Sequence, residues 1–213
     1  NYLSLGMYLI KTPFWLRAFY PKCIWNIPSK EKVIYLSFDD GPHPEVTPFV
    51  LAELKKYNAK ATFFCIGNNV LKHPNIYESI LQAGHRVGNH TYDHLNGWKT
   101  ETNLYIQNIK DAATLIDSGL FRPPYGRITK RQIRIIKASN ELRHQIVMWD
   151  VLSADFDLKL NGEDCARNVI KHTKPGSIIV FHDSQKAWDR MSIALPIVLA
   201  YFSKLGYRFE TIP

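Results

Sequence analysis

Two adjacent carboxylates, Asp39 and Asp40, follow the apolar run Val33-Ile34-Tyr35-Leu36-Ser37-Phe38, and Gly41-Pro42 turns the chain immediately afterwards. Neighbouring side chains on an extended segment project to different sides, so one carboxylate can hold a cation while the other faces a substrate. Read alone, the pair is no more than an acidic turn. His90-Thr91-Tyr92-Asp93-His94 alters that reading, because histidines at i and i+4 share one face of a helical turn and can hold one metal together. Joined to one of the acids, they form a two-His, one-carboxylate set that leaves coordination positions open for water and substrate. Its donor chemistry accepts zinc, cobalt or manganese, with zinc the first expectation.

Further chemistry-bearing residues lie downstream. In Phe121-Arg122-Pro123-Pro124-Tyr125-Gly126, Arg122 has the planar fork that orients a carboxylate. The two prolines stiffen the backbone beyond it, so that an N–H such as that of Tyr125 is suited to a developing oxyanion. Phe181-His182-Asp183-Ser184 places a histidine just past the apolar run Ile178-Ile179-Val180-Phe181. A core histidine is the default there; at the mouth of a cleft, a general acid is the alternative.

The elements that must position these groups alternate. Strands are predicted at 33–38, 60–66, 85–89, 120–122, 144–149, 177–181 and 207–212. Helices are predicted at 46–57, 74–82, 101–117, 129–140, 162–172 and 190–204. Short connections between them point to a parallel sheet wrapped by helices, either an open doubly wound sheet or a barrel. Asp39-Asp40, His90, Arg122, Asp150 and His182 each follow a predicted strand, which is the rim where parallel α/β folds build their sites.

The composition of the 213 residues, 46% hydrophobic and 22% charged, suits one globular domain. A net charge of +8 is spread along the chain without a long Lys/Arg run, which favours an anionic environment over nucleic acid. Cys23, Cys65 and Cys165 are too far apart for a CxxC clasp and read as buried thiols. Residues 1–32 are basic and aromatic, and are expected to form an arm packed on a catalytic domain of residues 33–213; peripheral membrane contact through the arm is the alternative. No apolar run approaches a transmembrane span, and Lys11, Pro13 and Arg17 interrupt any signal-peptide core, with Met7 a candidate natural start.

Taken in order, SFDDGP, HTYDH, RPPYG, WDVLSADF and VFHDS resemble the motifs of polysaccharide deacetylases of carbohydrate esterase family four, the NodB homology domain. The likeness runs from about residue 33 to 213. It implies a distorted (β/α) barrel with fewer than eight units and a divalent-metal-dependent hydrolase. The reaction implied is removal of N- or O-acetyl groups from a polysaccharide, expected to be an N-acetylglucosamine-containing polymer in the cell envelope or outside the cell. Position by position, the resemblance implies Asp40, His90 and His94 as metal ligands, Asp39 as general base and Arg122 as its orienting partner. It likewise implies the Tyr125 N–H as oxyanion donor and His182 as general acid.

One motif departs from the family. Asp-x-x-Asp-Trp is replaced by Leu152-Ser153-Ala154-Asp155-Phe156, so the carboxylate that usually tunes the acidic histidine is missing. Strand alternation nominates Asp150, two residues before Leu152 and on the same face, as the partner of His182, with Asp155 the competing candidate. Three rival functions remain. A sugar-binding module without catalysis has no need of Asp39, Arg122 and His182. Hydrolases of small cyclic amides commonly carry an altered metal pair, and nucleic-acid binding lacks a motif.

Overall fold

The computed structural model describes residues 8–142 and 144–213. Its strands are β1 (Cys23–Ile24), β2 (Val33–Asp39), β3 (Ala61–Cys65), β4 (Arg86–Asn89), β5 (Leu120–Phe121), β6 (Gln145–Val147), β7 (Val151–Leu152), β8 (Ile178–His182) and β9 (Arg208–Phe209). The helices are α1 (Phe14–Phe19), α2 (Val46–Lys56), α3 (Gly67–Lys72), α4 (Pro74–Gln82), α5 (Thr102–Ala113), α6 (Lys130–Ala138), α7 (Gly162–His172) and α8 (Trp188–Lys204).

Parallel strands in the order β1-β6-β5-β4-β3-β2-β8-β7 curl into a distorted barrel, and β9 pairs with the start of β2. Every residue of the central β2 is buried, as expected of a strand covered on both faces. Its period of two separates two environments. Ile34, Leu36 and Phe38 join the large core beneath the helices, with Val50 and Leu54 of α2 and Leu195 and Leu199 of α8. Val33 and Tyr35 belong instead to the smaller cluster with Phe64, Leu120, Val147 and Ile178, and on that same face Ser37 and Asp39 meet Arg122.

The expected strand 144–149 is shorter than predicted and is followed by a second strand, because the run from Gln145 to Leu152 serves two neighbours. β6 pairs with β5 and β1, whereas β7 pairs with β8. Between them the sheet has a seam, and the N-terminal segment fills it. Lys11 bridges Val151, the Leu152 N–H donates to the Ile10 carbonyl, and the Thr12 N–H donates to the Asp150 carbonyl. On the other side, β1 extends the sheet beyond β6. The part of the expected arm that lies within the described residues is therefore woven into the barrel; residues 1–7 lie outside them. The first strand and helix, α3 and β7 are not among the predicted elements. Among the described residues, no helix is long and apolar enough to cross a membrane.

Candidate active site

At the carboxyl ends of the strands the chain bends sharply, and those bends aim the functional side chains. Beyond β2, Asp40 adopts φ 80° and Gly41 makes the approach that lets its N–H donate to Asp183 Oδ1. A Cβ at Gly41 would lie 2.1 Å from Asp183 Oδ2, so no larger residue fits this turn. Thr47 at the start of α2 donates its hydroxyl to the other Asp183 oxygen at 2.6 Å, and the Asp183 N–H donates to the Asp39 carbonyl. The buried Asp183 thus ties the acidic turn to the end of β8. Its role was not anticipated, and its only signal in the sequence was its place beside His182.

Asp40, His90 and His94 converge as expected: one ligand atom from each lies within 4.8 Å of the others. The route differs from the expected helical turn. Residues 90–94 are irregular, with Thr91 at φ 64° and His94 at φ 57°, left-handed conformations that fold His94 back over the site. Asn108 of α5 stabilises this loop, its side-chain carbonyl accepting from the N–H groups of Tyr92 and Asp93. His90 Nδ1 lies 2.7 Å from the Arg122 carbonyl, which can only accept. The proton therefore sits on Nδ1, and the Nε2 lone pair is left for the site. Burial lowers the His90 pKa to about 4, which keeps the ring neutral. Burial would raise the Asp40 pKa, but the His94 hydrogen bond and the surrounding His182, His90 and His94 rings prevail and hold it well below the usual carboxylate range. An anionic oxygen and a neutral imidazole lone pair are what a divalent cation of borderline softness takes, so this set fits a metal.

Asp39 is almost fully buried and points its Oδ1 at Arg122 Nη1, 2.7 Å away, while Oδ2 lies 4.0 Å from His90 Nε2. Arg122 is itself fully buried, an expensive place for a charge unless every donor is used. It donates to Asp39, Ser37 Oγ and the carbonyls of Val147 and Met148, and its guanidinium lies 4.0 Å above the Phe64 ring. Tyr125 has φ 61° and ψ 7°, and its exposed ring packs 4.6 Å from that of His94. Gly126 follows at φ 64°, with no space for a Cβ against Trp149.

The partner expected for His182 is corrected. Its Nδ1 lies 2.7 Å from Asp155 Oδ1, and its own N–H donates to Asp155 Oδ2 at 2.8 Å. Asp150 is elsewhere: it accepts from Lys11 Nζ at 2.6 Å, from Arg17 and from Ser177 Oγ. The reason is height along the barrel. Asp150 lies level with Ile178 at the start of β8, since its N–H donates to the Ile178 carbonyl. That is four residues short of His182, or about 13 Å at strand rise. Asp155 follows β7, where Ala154 at φ 63° reverses the chain toward the ring. Burial would depress the His182 pKa, but the Asp155 carboxylate, with the Asp40 and Asp39 charges behind it, outweighs burial and raises the pKa to about 10.

These groups open into a cavity of about 700 Å³ lined by Asp39, Asp40, His90, His94, Tyr125 and His182, with Tyr8, Leu16, Tyr20 and Trp25 of the N-terminal segment on another part of its wall. A curled parallel barrel with an Asp-His-His cluster, a buried Asp–Arg pair and a carboxylate-held histidine on one rim defines a hydrolase-type site. The polysaccharide deacetylase family matches residues 26–144, and the chain belongs to that family. It is 35% identical over 194 residues to a peptidoglycan-N-acetylglucosamine deacetylase of Bacillus cereus, covering 88% of this chain and 90% of the relative. It is 33% identical to a chitooligosaccharide deacetylase of Azorhizobium caulinodans, covering 88% and 96%. A solved peptidoglycan N-acetylglucosamine deacetylase, in complex with an N-oxidanyl-benzamide, superposes with a TM-score of 0.85 at 32% identity, covering 95% of each chain.

Proposed function

We propose that this protein is a metal-dependent deacetylase that hydrolyses the N-acetyl groups of an N-acetylglucosamine-containing polymer of the cell envelope. The observation that carries the reading is the meeting of Asp40, His90 and His94 beside two separately held proton carriers, Asp39 and His182. Asp40, His90 and His94 would hold the cation, which when bound supplies Lewis acidity toward the acetyl carbonyl.

The chain's own groups divide the remaining work. Arg122 fixes Oδ1 of Asp39, so Oδ2 is the oxygen that accepts the proton of the attacking water. The Tyr125 N–H donates to the oxyanion as the carbonyl becomes tetrahedral. Asp155 occupies Nδ1 of His182, leaving Nε2 to protonate the departing sugar nitrogen. Peptidoglycan and chitooligosaccharide are the substrates named for the relatives, and both contain N-acetylglucosamine, which supports an amide over an ester.

Acetate release from peptidoglycan, chito-oligosaccharides and acetylated xylan, measured after chelation and after adding back zinc, cobalt or manganese, tests this reading. Asp39→Asn should retain metal while turnover falls by about 10²–10⁴-fold. Activity that survives complete removal of metal, or metal loss equal in Asp39→Asn and Asp40→Asn, would overturn the assignment.

A further inference from the structure

The cavity wall does not end at the rim. Tyr20, which lines the cavity, also lines a second groove of about 350 Å³, formed with Phe19, Lys22, Lys130 and Arg134. Lys22, Lys130 and Arg134 are exposed, no carboxylate lines the groove, and among the described residues none of the three is ion-paired. Phe19 is 59% exposed, with Lys130 Nζ 5.9 Å from its ring centre. Arg127 and Lys186 add two cations to the cavity's wall, on which Asp39 and Asp40 are the carboxylates.

Aromatic faces suit the C–H faces of sugar rings, while unpaired cations have no partner on a neutral polymer. We propose that the groove beside Tyr20 extends the substrate cleft and binds the carboxylates of an anionic glycan strand while its acetyl group occupies the metal cluster. This rests on the deacetylase reading and narrows its substrate class, from any acetylated glycan to one that carries acidic groups along its length. An anionic bilayer is the competing occupant for an aromatic and basic surface. Continuity with the cavity through Tyr20 favours the glycan, which must run out of the site in some direction.

The test is the full chain carrying Lys22→Gln, Lys130→Gln and Arg134→Gln together. Initial rates are compared on two soluble probes of equal length: peptidoglycan glycan strands with free lactyl carboxylates, and neutral N-acetylglucosamine oligomers. The ratio of kcat/KM for acidic over neutral strands should fall about tenfold, mainly through KM, as expected for three exposed charges acting together. High salt should remove the difference. An unchanged ratio overturns the proposal, as does an unchanged ratio accompanied by lost binding to phosphatidylglycerol vesicles, which assigns the groove to a membrane. Binding of both strands to the Asp39→Asn protein, with and without the three substitutions, is measured in parallel. If no acetate is released from either polymer, the deacetylase reading fails by itself. Loss of acidic-strand binding in the substituted protein still supports the groove, and equal binding sinks it.

Discussion

At the scale of single residues, His182 and Asp155 decide how the site responds to pH. Burial pushes the ring toward neutrality and the adjacent carboxylate pushes it further the other way, to about 10. The acid form should therefore persist well above neutrality, and the alkaline limb of kcat should lie near pH 10. In Asp155→Asn the strongest opposition to burial is gone and only the more distant Asp40 and Asp39 charges remain, so that limb should move well down from about 10. Turnover at pH 8 should drop at least tenfold with it. Asp150→Asn should leave the limb in place, since Asp150 sits with Lys11, Arg17 and Ser177. A pH–rate profile for each variant separates the two carboxylates, and a shifted limb in Asp150→Asn alone would reverse the assignment.

At the scale of elements, the sheet parts between β6 and β7, and residues 8–27 close the seam. Asp150 is fully buried there, and both cations that neutralise it come from the N-terminal segment. Removing one leaves a buried charge short of a partner. Arg17→Met should destabilise the protein by about 2–3 kcal/mol, with Lys11 remaining to limit the loss. Adding Asp150→Asn to Arg17→Met should recover part of that cost, because the uncompensated charge is gone. Urea unfolding of the two single variants and the double variant gives the coupling directly. Deleting residues 1–25 should lower the melting temperature further, because β1 and the bridge at Lys11 are removed as well.

For the whole molecule, stability should be domed in pH: buried histidines, His90 among them, set the acidic side, and His182 together with Asp183, whose carboxyl burial pushes up to about 8, sets the alkaline side. His85 is buried and its Nδ1 accepts the Ala61 N–H, a role open only to the neutral ring. Burial lowers its pKa to about 4, so between pH 6.5 and 4 the unfolded chain binds the extra proton and stability falls as pH falls. The loss is on the order of 2 kcal/mol for this one group. His144, also buried, is shifted in the same direction by burial and adds to it. His182 acts oppositely: its pKa is raised, so its contribution is complete below pH 6.5 and is lost as pH rises through about 10. Urea midpoints from pH 4 to 10 should show both limbs. His85→Gln, which keeps an acceptor that does not titrate, should make the acidic one shallower, with His90 and His144 still contributing.

The residue pattern specified most of the longer strands and helices and which of their ends carry chemistry. Short apolar runs with turn residues behind them specify strands, and Asp39, His90, Arg122 and His182 stand at their ends because parallel strands all finish on one rim. The ordered motifs then carried the family. Which of these groups meet depends on how the strands register in the folded barrel. Alternation along a strand states the face a side chain takes but not its height, and height depends on the register with the neighbouring strand. Asp150 and Leu152 share a face, yet the pairing of β7 with β8 puts Asp150 level with Ile178 and leaves His182 to Asp155. The convergence of His90 and His94 likewise rests on left-handed residues at 91 and 94, held by Asn108 from α5. The seam-filling role of residues 8–27 requires knowing that β6 and β7 part, and that parting is a property of the curled sheet rather than of any segment within it.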